Sequence, residues 1–153
     1  MGRSKMGCRQ FSSLQLKFLL VIYINILSNA IKYTEPGGHV TVDMREEESA
    51  RPGCVKLTYV VADTGIGMSA KFLPKLYDAF SQEESQEVRN PNGTGLGLSI
   101  VKKYIDMLGG TISVESQLGK GTTFELHILL EESLEAEENW CKDVKEFDFK
   151  HLH

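Results

Sequence analysis

Apolar residues crowd positions 14–33 (LQLKFLLVIYINILSNAIKY) without a glycine or proline, and TEPGG follows at 34–38. That density predicts one helix stopped by a Pro-Gly breaker. Residues 40–46 (VTVDMRE) and 55–62 (VKLTYVVA) begin with alternation of period two. Both predict strands, joined by the charged loop EEESARPG at 46–53. DTGIGM at 63–68 predicts a turn and 69–77 a short helix. Residues 81–92 are polar and aperiodic, which predicts a long loop. Residues 96–108 predict a second long helix, ended by Gly109-Gly110, and 111–115 with 122–130 predict a hairpin around SQLGKG. Helices and hairpins in this order predict an α+β two-layer sandwich: a mixed, mostly antiparallel sheet covered on one face by helices.

Composition narrows the classes of function. At 153 residues the chain is one domain's worth, with no internal repeat. A net charge of -4 gives no reason to expect a phosphate-backbone binder, so no nucleic-acid partner is expected. Cys8, Cys54 and Cys141 are odd in number and lack any CxxC, which fits a reducing compartment. MGRSKM departs from a myristoylation signal at Met6. The run at 18–27 (FLLVIYINIL) is half a membrane span and contains Asn25, so it reads as a buried helix. No membrane contact by this chain and a cytoplasmic setting are expected, with a membrane-anchored parent compatible. Residues 131–138 carry five acids in eight and read as a solvated linker or tail.

Three short stretches can carry chemistry. Asn25 and Asn29 share a helix face with Lys32 and Tyr33 a turn further on. Amide oxygens suit a hard cation such as Mg2+ and a lysine suits a phosphate, while the bland alternative is amides satisfied by nearby backbone. In DTGIGM, Asp63 ends an apolar strand. Asp63 either caps its own turn or accepts from an amino group while Gly65 and Gly67 let a flat ring approach the backbone. GTGLGL at 93–98 is neither a Walker A loop nor a dinucleotide fingerprint. It offers free N–H groups at a helix N-terminus, where an anion is favoured.

Taken together and in order, these stretches resemble the ATP-binding domain of sensor histidine kinases, in the GHKL ATPase superfamily. NILSNAIKYT is similar to that family's N box, DTGIGM to its G1 box, LYDAFSQ to its F box and GTGLGLSIV to its G2 box; SQLGKGTTFEL resembles the closing strand pair. The resemblance covers residues 19–130, leaving 1–18 as an atypical N-terminal segment and 131–153 as an acidic tail or linker. It implies ATP and Mg2+ as ligands, with Asn29 at the metal and Asn25 beside it. It further implies Lys32 on a phosphate, Tyr33 along the nucleotide, and Asp63 on the adenine amino group with Thr123 supporting it through water. Gly65, Gly67 and Met68 fall in the adenine-side turn. Phe80 and Arg89 fall in the lid, with Arg89 on a phosphate, and Thr94, Gly95, Leu96, Gly97 and Leu98 supply triphosphate-binding backbone.

Departures from the family pattern matter as much. Phe18 and Val21 stand where the family has an Arg and a Gln, so this helix face is abnormally apolar. RNPNG replaces the family's usual lid ending. None of His39, His127, His151 and His153 precedes an acidic residue on a predicted helix. The resemblance therefore implies the ATP-binding half of a kinase without its phosphate acceptor. The implied partners are a histidine-bearing dimerisation domain of the same kinase and a response regulator downstream. KEFDFKHLH at the chain's end resembles the approach to a receiver domain in hybrid kinases. Two alternatives within the superfamily are an ATP-driven conformational clamp, against which Asn25 stands where a general-base Glu belongs, and a serine kinase of the anti-sigma type.

Overall fold

A computed structural model of the chain describes residues 11–79 and 97–132. Its first helix, α1 (Ser13–Lys32), starts where the Ser12 hydroxyl accepts a hydrogen bond from the Gln15 N–H at 3.3 Å. That satisfies one of the unpaired amides of the first turn. The helix runs on to its C-cap at Tyr33, whose N–H donates to Asn29. Leu19, Ile22, Ile26 and Ala30 recur at spacings of three and four and are its buried stripe. The 20-residue helix matches the one predicted over 14–33, and by length and the mean hydropathy of its most apolar 18 residues (1.6) it could cross a membrane. Here its buried stripe packs onto the sheet as one layer of the domain.

Four strands follow the sequence pattern with slightly longer bounds. They are β1 (Val40–Glu48), β2 (Cys54–Asp63), β3 (Thr111–Gln117) and β4 (Gly121–Glu131), in the order β1-β2-β4-β3. Every pairing among the described residues is antiparallel, as the expectation of a mostly antiparallel sheet implies. Consecutive hairpins β1–β2 and β3–β4 account for the outer pairings, and β2 meets β4 head to tail at the centre. The short helix expected at 69–77 is a single 3-10 turn at Leu73–Lys75, with Pro74 inside it.

The second long helix, α2 (Gly97–Met107), buries Val101 and Ile105. It ends in a left-handed Gly109 (φ 66), with Gly109 N–H donating to Asp106 and Gly110 N–H to Ile105. This is the double-bonded glycine stop that the Gly-Gly pair predicts. Helix α2 packs beside α1 and toward β3, so both helices lie on one face. Tyr59, Val61, Phe124, Leu126, Ile128 and Leu130 rise from that face into the core. Beyond Val40, all of β1 is exposed, so the helical layer stops short of this edge.

Phe18, out of place against the family pattern, has a partner. Its ring stacks on Tyr104 of α2 with centroids 4.7 Å apart. The apolar face of α1 is thus partly an α1–α2 contact, in which an aromatic pair replaces polar side chains. The helix begins at Ser13, so it crosses the expected boundary between residues 18 and 19. The predicted loop at 81–92, Cys8, Cys141, and all but Glu131 and Glu132 of the acidic tail lie outside the described residues.

Candidate functional site

Strand register builds the site. On the helix-covered face, apolar rungs of the sheet join residues of β2, β4 and β3, such as Val61, Phe124 and Val114. The next rung, at the end of the core, is polar: Asp63 pairs with Thr122, and Thr122 with Ser116. Side chains two apart share a face, so the same alternation that buries Phe124, Leu126 and Ile128 puts Thr122 beside Asp63. Thr123 pairs with Ala62 on the opposite face. The resemblance assigned the supporting role to Thr123; the period-two reading of TTFELHIL would have selected Thr122.

Asp63 Oδ1 accepts from the Gly65 N–H at 2.9 Å and the Thr122 N–H at 3.3 Å. Its Oδ2 has no donor among the described residues. Burial pushes the carboxyl above its ordinary range, and the two backbone donors offset part of that rise. Beside it, the Ser116 hydroxyl accepts from the Met68 N–H at 2.8 Å, donates to the Gly121 carbonyl at 3.0 Å and lies 2.8 Å from the Thr122 hydroxyl. Neither Ser116 nor Thr122 was foreseen from the sequence.

The DTGIGM turn is clamped from three sides. Ile66 N–H donates to the Tyr33 carbonyl at the end of α1, Thr64 N–H to His39 before β1, and Gly119 N–H in the β3–β4 turn to Ile66. Its glycines are explained by protein backbone. A Cβ on Gly65 would press on the Tyr33 carbonyl, and one on Gly67 (φ +69) on the Gln117 carbonyl. These contacts demand glycine without any ring from a ligand. Met68 packs its side chain against the core.

Along α1, the two asparagines behave differently. Asn25 Nδ2 donates to the Val21 carbonyl at 2.7 Å, the bland backbone-satisfied arrangement. Its Oδ1 faces Gly97 at the start of α2, where a Cβ would come within 2.9 Å. The half-buried Asn29 has no side-chain hydrogen bond among the described residues, so its amide is open to a ligand. The exposed Lys32 ammonium sits 5.3 Å from the centroid of the Tyr33 ring, a cation–π arrangement. Helix rise makes Asn25 to Tyr33 about 12 Å long, and that length connects the N-terminus of α2 to the Asp63 rung.

Leu98 packs partly into the core from the first turn of α2. Phe80, Arg89, Thr94, Gly95 and Leu96 lie outside the described residues. Among the described residues no cluster of three or more His, Cys, Asp or Glu could hold a metal. An amide oxygen such as that of Asn29 fits Mg2+, which keeps several waters and takes most other ligands from phosphates.

Comparison with known proteins agrees with this fold. The family model described as histidine kinase-, DNA gyrase B-, and HSP90-like ATPase matches residues 15–132. The autoinducer 2 sensor kinase/phosphatase LuxQ of Vibrio vulnificus (strain YJ016) is 44% identical over 117 residues, which is 76% of this chain and 13% of LuxQ. Among solved structures, the mycobacterial sensor histidine kinase MprB aligns with a TM-score of 0.61 at 27% identity, covering 76% of this chain and 75% of that one. Full-length ShkA, in complex with AMPPNP, aligns with a TM-score of 0.55 at 29% identity, covering 76% of this chain and 22% of ShkA. The chain thus spans 13% of the length of the LuxQ relative, one module's worth.

Proposed function

The chain belongs to the histidine kinase-, DNA gyrase B-, and HSP90-like ATPase family, and from that premise we propose that it presents Mg-ATP for phosphoryl transfer to a histidine on a separate domain. The observation carrying this reading is the pairing of an acceptor-rich rung at Asp63 with an open amide at Asn29. An adenine amino group suits the first and a metal-bridged triphosphate the second. The similarity to sensor kinases, one of them solved with AMPPNP, supports the same assignment.

In this reading Asp63 accepts from the amino group while Tyr33 lines the nucleotide. Asn25 packs against the α2 N-terminus, where Gly97 and Leu98 begin the helix and its N–H groups favour phosphate. Lys32 adds positive charge at the phosphate end, and Arg89 is assigned a phosphate contact on its place in the motif alone. Asn29 would hold Mg2+, whose charge neutralises the β- and γ-oxygens. These residues bind, orient and neutralise; they form no bond with the substrate. Phosphoryl transfer relies largely on such positioning.

The acceptor is a histidine-bearing dimerisation domain of the parent kinase, and a response regulator receives the phosphoryl group next. ATP supply favours a cytoplasmic setting for the domain. Glu131 closes β4 and Glu132 bridges to Phe11, so of the expected tail or linker at 131–153 we retain the residues beyond 132. Among the alternatives, Asn25 spends its amide on the Val21 carbonyl and supplies no general base for the hydrolysis a clamp needs. The test is phosphoryl transfer from γ-labelled ATP to a separately supplied histidine-bearing helical hairpin. Acid-labile, alkali-stable label on the hairpin is expected. Acid-stable label would show a serine kinase, and rapid release of inorganic phosphate without labelling would show a clamp.

A further inference from the structure

The polar rung contains a hydroxyl whose role the family resemblance does not assign. We propose that Ser116 is a positioning residue that fixes the Thr122 hydroxyl as a hydrogen-bond acceptor beside Asp63, and so sets selectivity for a 6-amino over a 6-oxo purine. The inference rests on the nucleotide-binding reading above.

A serine hydroxyl has one proton and two acceptor positions. Around Ser116 Oγ lie the Met68 N–H at 2.8 Å, the Gly121 carbonyl at 3.0 Å and the Thr122 hydroxyl at 2.8 Å. Met68 N–H can only donate and the Gly121 carbonyl can only accept. One arrangement satisfies all three contacts: Ser116 gives its proton to Gly121 and accepts from both Met68 and Thr122. The opposite placement, Ser116 donating to Thr122, leaves the Gly121 carbonyl without the hydroxyl, and Thr122 is buried at 8% exposure. Unmade buried hydrogen bonds are costly.

With its proton committed to Ser116, Thr122 Oγ1 offers lone pairs only. Asp63 Oδ2, free of donors among the described residues, offers lone pairs as an ionised carboxylate. The rung therefore presents two acceptors: one for an exocyclic amino group, and one for its second N–H or for a water that carries it. A 6-oxo group would bring a third acceptor against them. A site built for one hydrogen-bonding pattern discriminates against the other because its buried groups are left mismatched.

The test compares binding of ATP and ITP, which differ in this respect, to the full chain and its variants by calorimetry with Mg2+ present. Wild type should prefer ATP. Ser116→Ala frees the Thr122 proton to turn toward the ligand, so the ATP/ITP ratio should fall about tenfold. Ser116→Thr should restore it. Thr122→Val should lower the ratio similarly, and the double variant should lower it no further. Ser116→Ala also strands the Met68 N–H, but that structural damage would weaken both nucleotides alike. Equal loss for both, with the ratio preserved, overturns the inference while leaving the nucleotide site standing. If Ser116→Ala fails to fold, an unchanged ratio in Thr122→Val has the same force. Failure of wild type to bind any nucleotide overturns the functional reading and this inference with it.

Discussion

Gly67→Ala is the sharpest structural perturbation available at the Asp63 turn. Gly67 has φ +69, and an added Cβ would press on the Gln117 carbonyl, approaching its carbon at 2.7 Å and the Gly121 oxygen at 3.2 Å. The left-handed backbone alone costs a non-glycine residue about 1–2 kcal/mol. Moving two backbone segments apart adds roughly 1–3 kcal/mol, the usual scale of overpacking. The sum, about 2–5 kcal/mol, is a large share of the roughly 5–15 kcal/mol that holds a domain folded. Gly119, in the neighbouring β3–β4 turn, is the control. Its φ is +75, but an added Cβ there would meet nothing within 4 Å. Gly119→Ala should therefore show the backbone cost without the steric one. Urea unfolding of both variants reads the difference directly, and Gly67→Ala should be the less stable by at least about 1 kcal/mol. Equal destabilisation would refute the claim that this turn is pinned by backbone contact with the β3–β4 hairpin.

Other outcomes follow from single side chains. Burial raises the folded-state pKa of Asp63, so the folded chain holds that proton more tightly than the unfolded one. Its contribution to stability is fully present below the ordinary carboxylate pKa and lost as pH rises through the raised value. Asp63→Asn should accordingly gain stability relative to wild type as pH climbs from 3 to 7, measured by thermal unfolding; a constant difference would contradict the burial argument. The Tyr23 hydroxyl is buried without a partner among the described residues, and its pKa is pushed up to about 12 by burial first and by Tyr59 second. Tyr23→Phe should leave stability unchanged or raise it by up to about 1 kcal/mol in denaturant titration, whereas a clear loss would reveal a missed partner. Asn29→Ala should weaken ATP roughly tenfold with Mg2+ present and much less with the metal chelated. Equal losses under both conditions would remove Asn29 from the metal.

How far the sequence reveals this protein depends on the range of the interaction concerned. The α1 stripe and its TEPGG stop were legible, because helix period and breakers are local properties. So were the strands and the Gly109-Gly110 stop. The reason for Gly65 and Gly67 was not, since each faces a carbonyl far away in the chain, and sequence shows the glycine without its neighbour. Asn25 and Asn29 look equivalent at spacing four; only the fold shows that one spends its amide on Val21 while the other keeps it open. Phe18 reads as an anomaly until Tyr104 of α2 is stacked on it. Thr122 is the instructive case. Its position was legible from the alternation that buries Phe124, yet the motif match selected Thr123, one residue away and on the other face of the sheet. Ser116 gave no signal at all, because its importance lies in three hydrogen-bond partners that only strand register assembles.

The central claim is that this chain binds ATP through the Asp63 rung. Titration of wild type and Asp63→Asn with Mg-ATP by calorimetry tests it most directly. The account predicts saturable binding by wild type. It predicts a loss of about ten- to a hundredfold in the variant, the scale of one hydrogen bond to a charged group, while the variant stays folded. Undiminished ATP affinity in a folded Asp63→Asn would contradict it.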